Sequence, residues 1–151
     1  ERLNNNEHVC DIEIKSSNLI GCDLGPEFAD LMIDEYPILS VAACFANSPS
    51  VFRGLGELRF KESDRLNMIF LNLKNCGVNC EVDKDDLYIY PSKNYKVKNN
   101  IIKTDFDHRI AMAFAIMGMK VGPLNIKDAE SINTSFPFFK DEINKLGGNI
   151  F

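Results

Sequence analysis

Val51-Phe52-Arg53-Gly54-Leu55-Gly56-Glu57-Leu58-Arg59-Phe60-Lys61-Glu62-Ser63-Asp64-Arg65-Leu66, continuing through Ile69, Phe70 and Leu73 to Gly77, is the stretch whose reading decides the fold. Val51 to Arg53 reads as a short strand, and Gly54-Leu55-Gly56 as a flexible turn. Glu57 to Phe60 is expected to be extended. It feeds a helix expected to begin around Glu62, because Leu66, Ile69, Phe70 and Leu73 recur at i, i+3, i+4 and i+7 as one apolar face. Gly77 is a natural stop for that helix. Val78 to Val82 and Leu87 to Tyr90, around the turn Asp83-Lys84-Asp85-Asp86, read as a β-hairpin.

Upstream, Val9 to Lys15 alternates apolar and polar residues, and Ser17 to Leu24 is a second extended piece before Gly25-Pro26. From Asp34 the pattern becomes helical, with Ile38, Leu39, Val41, Ala42, Ala43, Phe45 and Ala46 apolar almost all round. Asp34 is expected to cap this helix, and Pro37 is tolerated in its first turn. Downstream lie a short strand at Ile101-Ile102, a mostly buried helix from Ile110 to Met119, and a strand from Leu124 to Ile126. Thr134 is expected to cap a last helix carrying Phe136, Phe139, Ile143 and Leu146, closed by Gly147-Gly148, with a final strand at Asn149 to Phe151. Strand, helix, strand, helix and hairpin are thus followed by strand, helix, strand, helix. That order is an approximate internal repeat and indicates an α/β architecture with helices packed on sheets.

The chain of 151 residues is 45% hydrophobic and 26% charged, values of an ordinary globular protein. No apolar run approaches the roughly 18 residues of a membrane span. A net charge of −5 argues against a nucleic-acid footprint. Five cysteines without a CxxC pair, and only two histidines, give no metal-ligand spacing and read as reduced and cytoplasmic. The sequence opens on Glu1 without a signal-peptide layout, and strand patterning starts near Val9, so it is expected to be cut from a longer chain.

Lys outnumbers Arg twelve to five, yet Arg53, Arg59, Arg65 and Arg109 fall in two short motifs. Arginine grips phosphate and carboxylate with a rigid fork, so the clustering suggests a small anionic ligand; ion pairs with Glu57, Glu62, Asp64 and Asp107 are the structural alternative. Three segments open helices: Asp34-Glu35-Tyr36-Pro37, Lys61-Glu62-Ser63-Asp64-Arg65, and Asp107-His108-Arg109-Ile110-Ala111-Met112. Helix N-termini favour anions. Lys61, Arg65 and Arg109 therefore need compensation there, by a negative ligand or by neighbouring carboxylates. Asp107 reads as a cap and an arginine partner.

Those runs, with Met32-Ile33 before Asp34, Gly56 to Leu66 in full, and Ser135-Phe136-Pro137, resemble the C-terminal signature segments of the 5-enolpyruvylshikimate-3-phosphate synthase family. The resemblance covers nearly the whole chain in order, starting from Ile14-Lys15-Ser16-Ser17, and is nearer the bacterial class II branch. It implies repeated βαβαββ units of the enolpyruvyl transferase fold, an inside-out α/β barrel. This chain would be the C-terminal part of one domain, about two units at roughly 1–95 and 96–151, with the N-terminal remainder absent.

The resemblance further implies transfer of the enolpyruvyl group from phosphoenolpyruvate to the 5-hydroxyl of shikimate 3-phosphate, without metal or organic cofactor, in chorismate and aromatic amino acid biosynthesis. The full-length enzyme would be a cytoplasmic monomer. Asp34 falls at the aspartate beside the reacting hydroxyl, and Glu62 at the acid/base glutamate. Lys61, Arg65 and Arg109 fall at positions that bind the substrates' phosphate and carboxylate groups. Thr134 departs from the pattern, standing where some members carry a phosphate-reaching Lys. The alternatives are UDP-N-acetylglucosamine enolpyruvyl transferase, which shares the fold and chemistry, and a non-catalytic anion-binding α/β module.

Overall fold

In the computed structural model, residues 2–4 and 7–151 are described, with side chains from His8 onward. Strands β1 (Arg2–Asn4) and β2 (Glu7–Val9) form an antiparallel ladder pairing Arg2 with Val9. Residues 10–22, expected as two extended pieces, carry no regular structure. Ile12, Ile14 and Ile20 are well exposed, so the alternation there has no face to bury. Only β3 (Asp23–Leu24) remains of the second piece.

After β3, α1 (Tyr36–Ala43) leads to β4 (Ser50–Phe52), which lies parallel to β3 with Asp23 opposite Val51. Pro37 occupies the first turn of α1, as expected, where its missing N–H costs nothing. Asp34 does not cap this helix. Glu35 holds the cap position with no side-chain hydrogen bond, because the Asp34 carboxylate is drawn onto arginines from elsewhere in the chain.

Glu57 to Phe60 is not extended either: Leu55–Phe60 forms a 3-10 helix. Its three-residue period buries Leu55 and Leu58 on one side and turns Phe60 out to 79% exposure. The next helix, α2 (Arg65–Asn75), starts three residues later than expected, since Asp64 is its true cap and accepts from the Asn67 N–H at 3.0 Å. Leu66, Ile69 and Leu73 are fully buried along its inner face, each worth roughly 1.5–3 kcal/mol of apolar burial. The hairpin β5 (Asn79–Asp83) and β6 (Asp86–Tyr90) follows as expected, completing a sheet of order β3-β4-β6-β5.

Strand β7 (Ile101–Ile102), α3 (His108–Val121) and β8 (Asn125–Ile126) repeat the parallel crossover, with Ile101 opposite Asn125. The join between the two halves is polar and paired. Buried Asn72 of α2 donates to the Lys103 carbonyl at 2.7 Å and accepts from the Lys103 N–H at 3.2 Å, as a neighbouring strand would. One continuous core runs through both halves, from Phe52, Leu66 and Leu87 to Ile102, Ile110 and Phe114. Helix α1 packs along α3.

The last helix, α4, spans only Phe139–Lys145. Thr134 does not cap it. Its hydroxyl donates to the Ser131 carbonyl at 2.7 Å, within a separate 3-10 turn over Ala129–Thr134. Of the expected apolar stripe, Phe139 is buried, whereas Phe136 and Leu146 are exposed. Asn149 to Phe151 is not a strand.

Candidate active site

The N-terminal ends of α1, α2 and α3 meet, and one side chain joins them. Arg65, the first residue of α2, is wholly buried. Its Nε donates to Asp107 Oδ2 at 2.7 Å, its Nη1 to Asp34 Oδ1 at 2.7 Å, and its Nη2 to Glu62. A cation at a helix N-terminus opposes the helix dipole. Here three carboxylates offset that, from the approach to α1, the loop before α2 and the cap of α3.

Asp107 is also fully buried. Its Oδ1 caps α3, accepting from the backbone N–H of Arg109 at 2.9 Å and of Ile110 at 3.4 Å. Its other oxygen takes Arg65 together with the Ser63 hydroxyl, which donates at 3.1 Å. Asp107 is thus both a cap and an arginine partner, as its sequence context indicates. Ser63 lies inside the Lys61–Arg65 motif, but its residue type and spacing assign it no role there; burial and the bond to Asp107 do.

Arg109 approaches Asp34 from the other side, with Nη1 donating to the Asp34 carbonyl at 3.2 Å and Nη2 lying 3.0 Å from Oδ2. The hydrogen bond from Arg65 holds the Asp34 carboxyl below its ordinary range; partial burial acts against this, and the charges of Arg109, Arg65 and Lys61 reinforce it. Lys61 itself is exposed. Burial would depress the charged form of Arg65, but its bonds to Asp107 and Asp34 outweigh that and raise its pKa. The outcome is a patch on which Asp34 and Glu62, each about half exposed, share the outer edge of one guanidinium.

Beside this patch opens a cavity of about 300 Å³, with Asp34 and Arg109 at its polar end and Pro37, Ile38, Met112 and Phe139 along its apolar walls. A second cavity of about 800 Å³, between the C-terminal half of α3 and the last 3-10 turn, contains none of the candidate residues.

All five predicted residues, Asp34, Lys61, Glu62, Arg65 and Arg109, therefore lie in one region. The other two arginines of the clusters do not. Arg53 forks onto Asp23 of the adjacent strand, with both contacts at 2.7 Å. Arg59 donates to Asp85 at 3.0 Å and to the Lys84 carbonyl at 2.6 Å. These two serve structural ion pairs, but mostly with other acids than the expected ones. Of those only Asp64 meets Arg59, at 3.5 Å, while Asp23 and Asp86 take Arg53 and Asp85 takes Arg59, pinning the sheet edge and the hairpin turn.

Fold and site together define a mixed α/β partial domain that gathers cations and carboxylates at converging helix N-termini, an arrangement suited to an anionic substrate. The family described as EPSP synthase (3-phosphoshikimate 1-carboxyvinyltransferase) matches residues 5–143. A 3-phosphoshikimate 1-carboxyvinyltransferase of Paramagnetospirillum magneticum is 48% identical over 95% of this chain and 32% of its own length. One from Cereibacter sphaeroides is 42% identical over 99% of this chain and 34% of its own. In three dimensions, an EPSP synthase from Acinetobacter baumannii superposes with a TM-score of 0.76 at 34% identity, over 85% of this chain and 30% of that one. The chain belongs to the EPSP synthase family, and spans about a third of the length of these relatives.

Proposed function

We propose that this chain forms the C-terminal part of a 3-phosphoshikimate 1-carboxyvinyltransferase. The reaction adds the 5-hydroxyl oxygen of shikimate 3-phosphate to C2 of phosphoenolpyruvate while a proton goes to C3. It then removes a proton from C3 as the C2–O bond to phosphate breaks, releasing phosphate and leaving the enolpyruvyl ether. Asp34 accepts the hydroxyl proton, which then leaves with the departing phosphate. Glu62 protonates C3 and takes a proton back. Lys61, Arg65 and Arg109 supply the positive charge that holds the substrates' phosphate and carboxylate groups. Positive charge develops at C2 during both steps, so fixed carboxylates close by stabilise the transition state far more than water could.

The observation that carries this reading is the single Arg65 guanidinium shared by Asp34 and Glu62, with Arg109 on the far side of Asp34. Two carboxylates with separate acid/base tasks must face one substrate, and a common cation gives them a fixed relation. The family match supports this assignment over UDP-N-acetylglucosamine enolpyruvyl transferase or a non-catalytic module.

We assign residues 1–95 and 96–151 to two βαβαββ-type units, the second incomplete. The rest of the domain and a second domain would close over the substrates in the full-length protein. The same proposal entails a cytoplasmic monomer that uses neither metal nor organic cofactor. Phosphate release from phosphoenolpyruvate and shikimate 3-phosphate tests it: the full-length protein is expected to turn over, and this chain alone is not. A full-length protein that releases no phosphate with both substrates present would sink the proposal.

A further inference from the structure

Asp107 has no capacity left for a ligand. A carboxylate offers about four acceptor sites, and all four are used: by Arg65 Nε at 2.7 Å, Ser63 Oγ at 3.1 Å, and the backbone N–H groups of Arg109 at 2.9 Å and Ile110 at 3.4 Å. It is also fully buried. Whatever Asp107 does, it does through those partners. They belong to two pieces of chain: the stretch from the Lys61–Glu62 loop into the first residue of α2, and the end of α3 that presents Arg109.

We propose that Asp107 is a positioning residue, whose bond to Arg65 sets the orientation in which Asp34 and Glu62 face the substrate. The proposal rests on the function assigned above. Capping α3 needs only one acceptor oxygen, which Asn or Ser provides about as well. The second oxygen is different, because it meets two donors, the Arg65 N–H and the Ser63 hydroxyl. An amide NH2 placed there would meet the arginine donor head-on. The Ser63 hydroxyl can rotate to accept, whereas Arg65 cannot and must swing away. Asp34 and Glu62, bonded to the other two nitrogens of Arg65, would follow it.

The experiment is a double-variant cycle in the full-length protein, using Asp107→Asn and Arg65→Lys. Misplacement of reacting groups by about 1 Å costs on the order of 10²-fold. Asp107→Asn is therefore expected to lower kcat by roughly that factor, and to raise the KM for phosphoenolpyruvate as well, because Arg65 is one of the cations assigned to hold it. In the Arg65→Lys background, the same change should add less than about threefold, since its intermediary is already altered. Asp107→Ser, which caps α3 but is too short to reach Arg65, should match Asp107→Asn.

Losses that multiply across the cycle would overturn the proposal, as would an Asp107→Asn enzyme with wild-type kcat. Wild-type protein supplies a readout that survives a misfolded variant. The Arg65 Nε–H, assigned in the wild-type protein by its through-space contacts to Ser63 and Asp107, should give a slowly exchanging nitrogen-15 NMR signal. An Arg65 signal that exchanges as fast as those of exposed arginines would equally refute it. An inactive wild-type enzyme with a protected Arg65 signal would count against the assigned function and leave this geometry standing.

Discussion

Arg109 holds Asp34 at two points across 75 residues of sequence, with one nitrogen on its backbone carbonyl at 3.2 Å and another 3.0 Å from its carboxylate. One contact fixes the chain just before α1, and the other fixes the group proposed to accept the hydroxyl proton. A lysine has one nitrogen and cannot span both. Arg109→Lys in the full-length protein is expected to raise the KM for phosphoenolpyruvate roughly tenfold and lower kcat several-fold, because bidentate grip and carboxylate placement are lost together. Steady-state kinetics check this. Unchanged constants would mean that the two-point clamp is idle.

Glu62 stands outside α2, three residues ahead of its first turn, about half exposed and bonded to Arg65 Nη2. Glu62→Gln preserves size and an acceptor oxygen but cannot move the proton. The expected outcome is a fall in kcat of roughly 10²–10⁴-fold, the usual range for lost general acid/base catalysis. Phosphoenolpyruvate affinity measured by direct titration should change little, since Lys61, Arg65 and Arg109 remain. A variant with near-normal turnover would remove Glu62 from the proposed mechanism.

Asp34 makes stability depend on acid. The bond from Arg65 puts its folded-state pKa below the ordinary 3.8. A group lowered in this way stabilises the fold fully above its unfolded pKa, and the contribution disappears as pH falls through the folded value. The stability gap between wild type and Asp34→Asn is thus expected to be constant above about pH 5 and to close below about pH 3.8. Urea unfolding of both proteins across that range measures it. A gap that widens on acidification would contradict the ion-pair geometry.

Much of this was legible in the chain because the decisive signals are local. Leu66, Ile69 and Leu73 announce α2, and the three helix-opening motifs announce that charged groups meet at helix ends. The misreadings fall where a long-range partner overrides local preference. Asp34 has the chemistry of an N-cap, yet its carboxylate serves Arg65 and Arg109 from distant segments. Glu57 to Phe60 alternates like a strand, but Leu55 and Leu58 bury at 3-10 spacing. Arg53 and Arg59 look like ligand-gripping arginines until strand pairing brings Asp23 to Arg53 and the hairpin brings Asp85 to Arg59. Sequence spacing alone does not say which acid an arginine will meet.

The thiols divide cleanly by burial. Cys76 and Cys80 are pushed up to about 11 by burial, and the Cys44 thiol is pushed up further by the same cause. Cys10 and Cys22 are exposed. Reactivity follows the thiolate fraction and access. Iodoacetamide at about pH 8 is therefore expected to modify Cys10 and Cys22 in the native protein and all five cysteines after unfolding in urea. Peptide mapping by mass spectrometry reads this directly, and rapid native labelling of Cys76 or Cys80 would show that this part of the core is open.

Gly77 ends α2 at φ +83°, and a Cβ there would lie 2.2 Å from the Lys96 carbonyl oxygen. The close approach has a purpose in the fold, since Asn75 accepts from the N–H groups of Lys98 and Asn99 at 2.8 and 3.1 Å. This ties the end of α2 to the segment that enters β7 and then α3, where Asp107 and Arg109 sit. Gly147 also has positive φ, +93°, but nothing lies within 4 Å of its would-be Cβ. Gly147→Ala should therefore cost only the left-handed backbone penalty, about 1–2 kcal/mol. Gly77→Ala should cost more, because the obstacle is backbone and cannot rotate away, and it should also lower kcat by loosening the approach to α3. Urea unfolding and turnover of the two variants, measured side by side in the full-length protein, separate strain from clash. Equal losses would mean that the segment around Lys96 yields freely and does not brace the site.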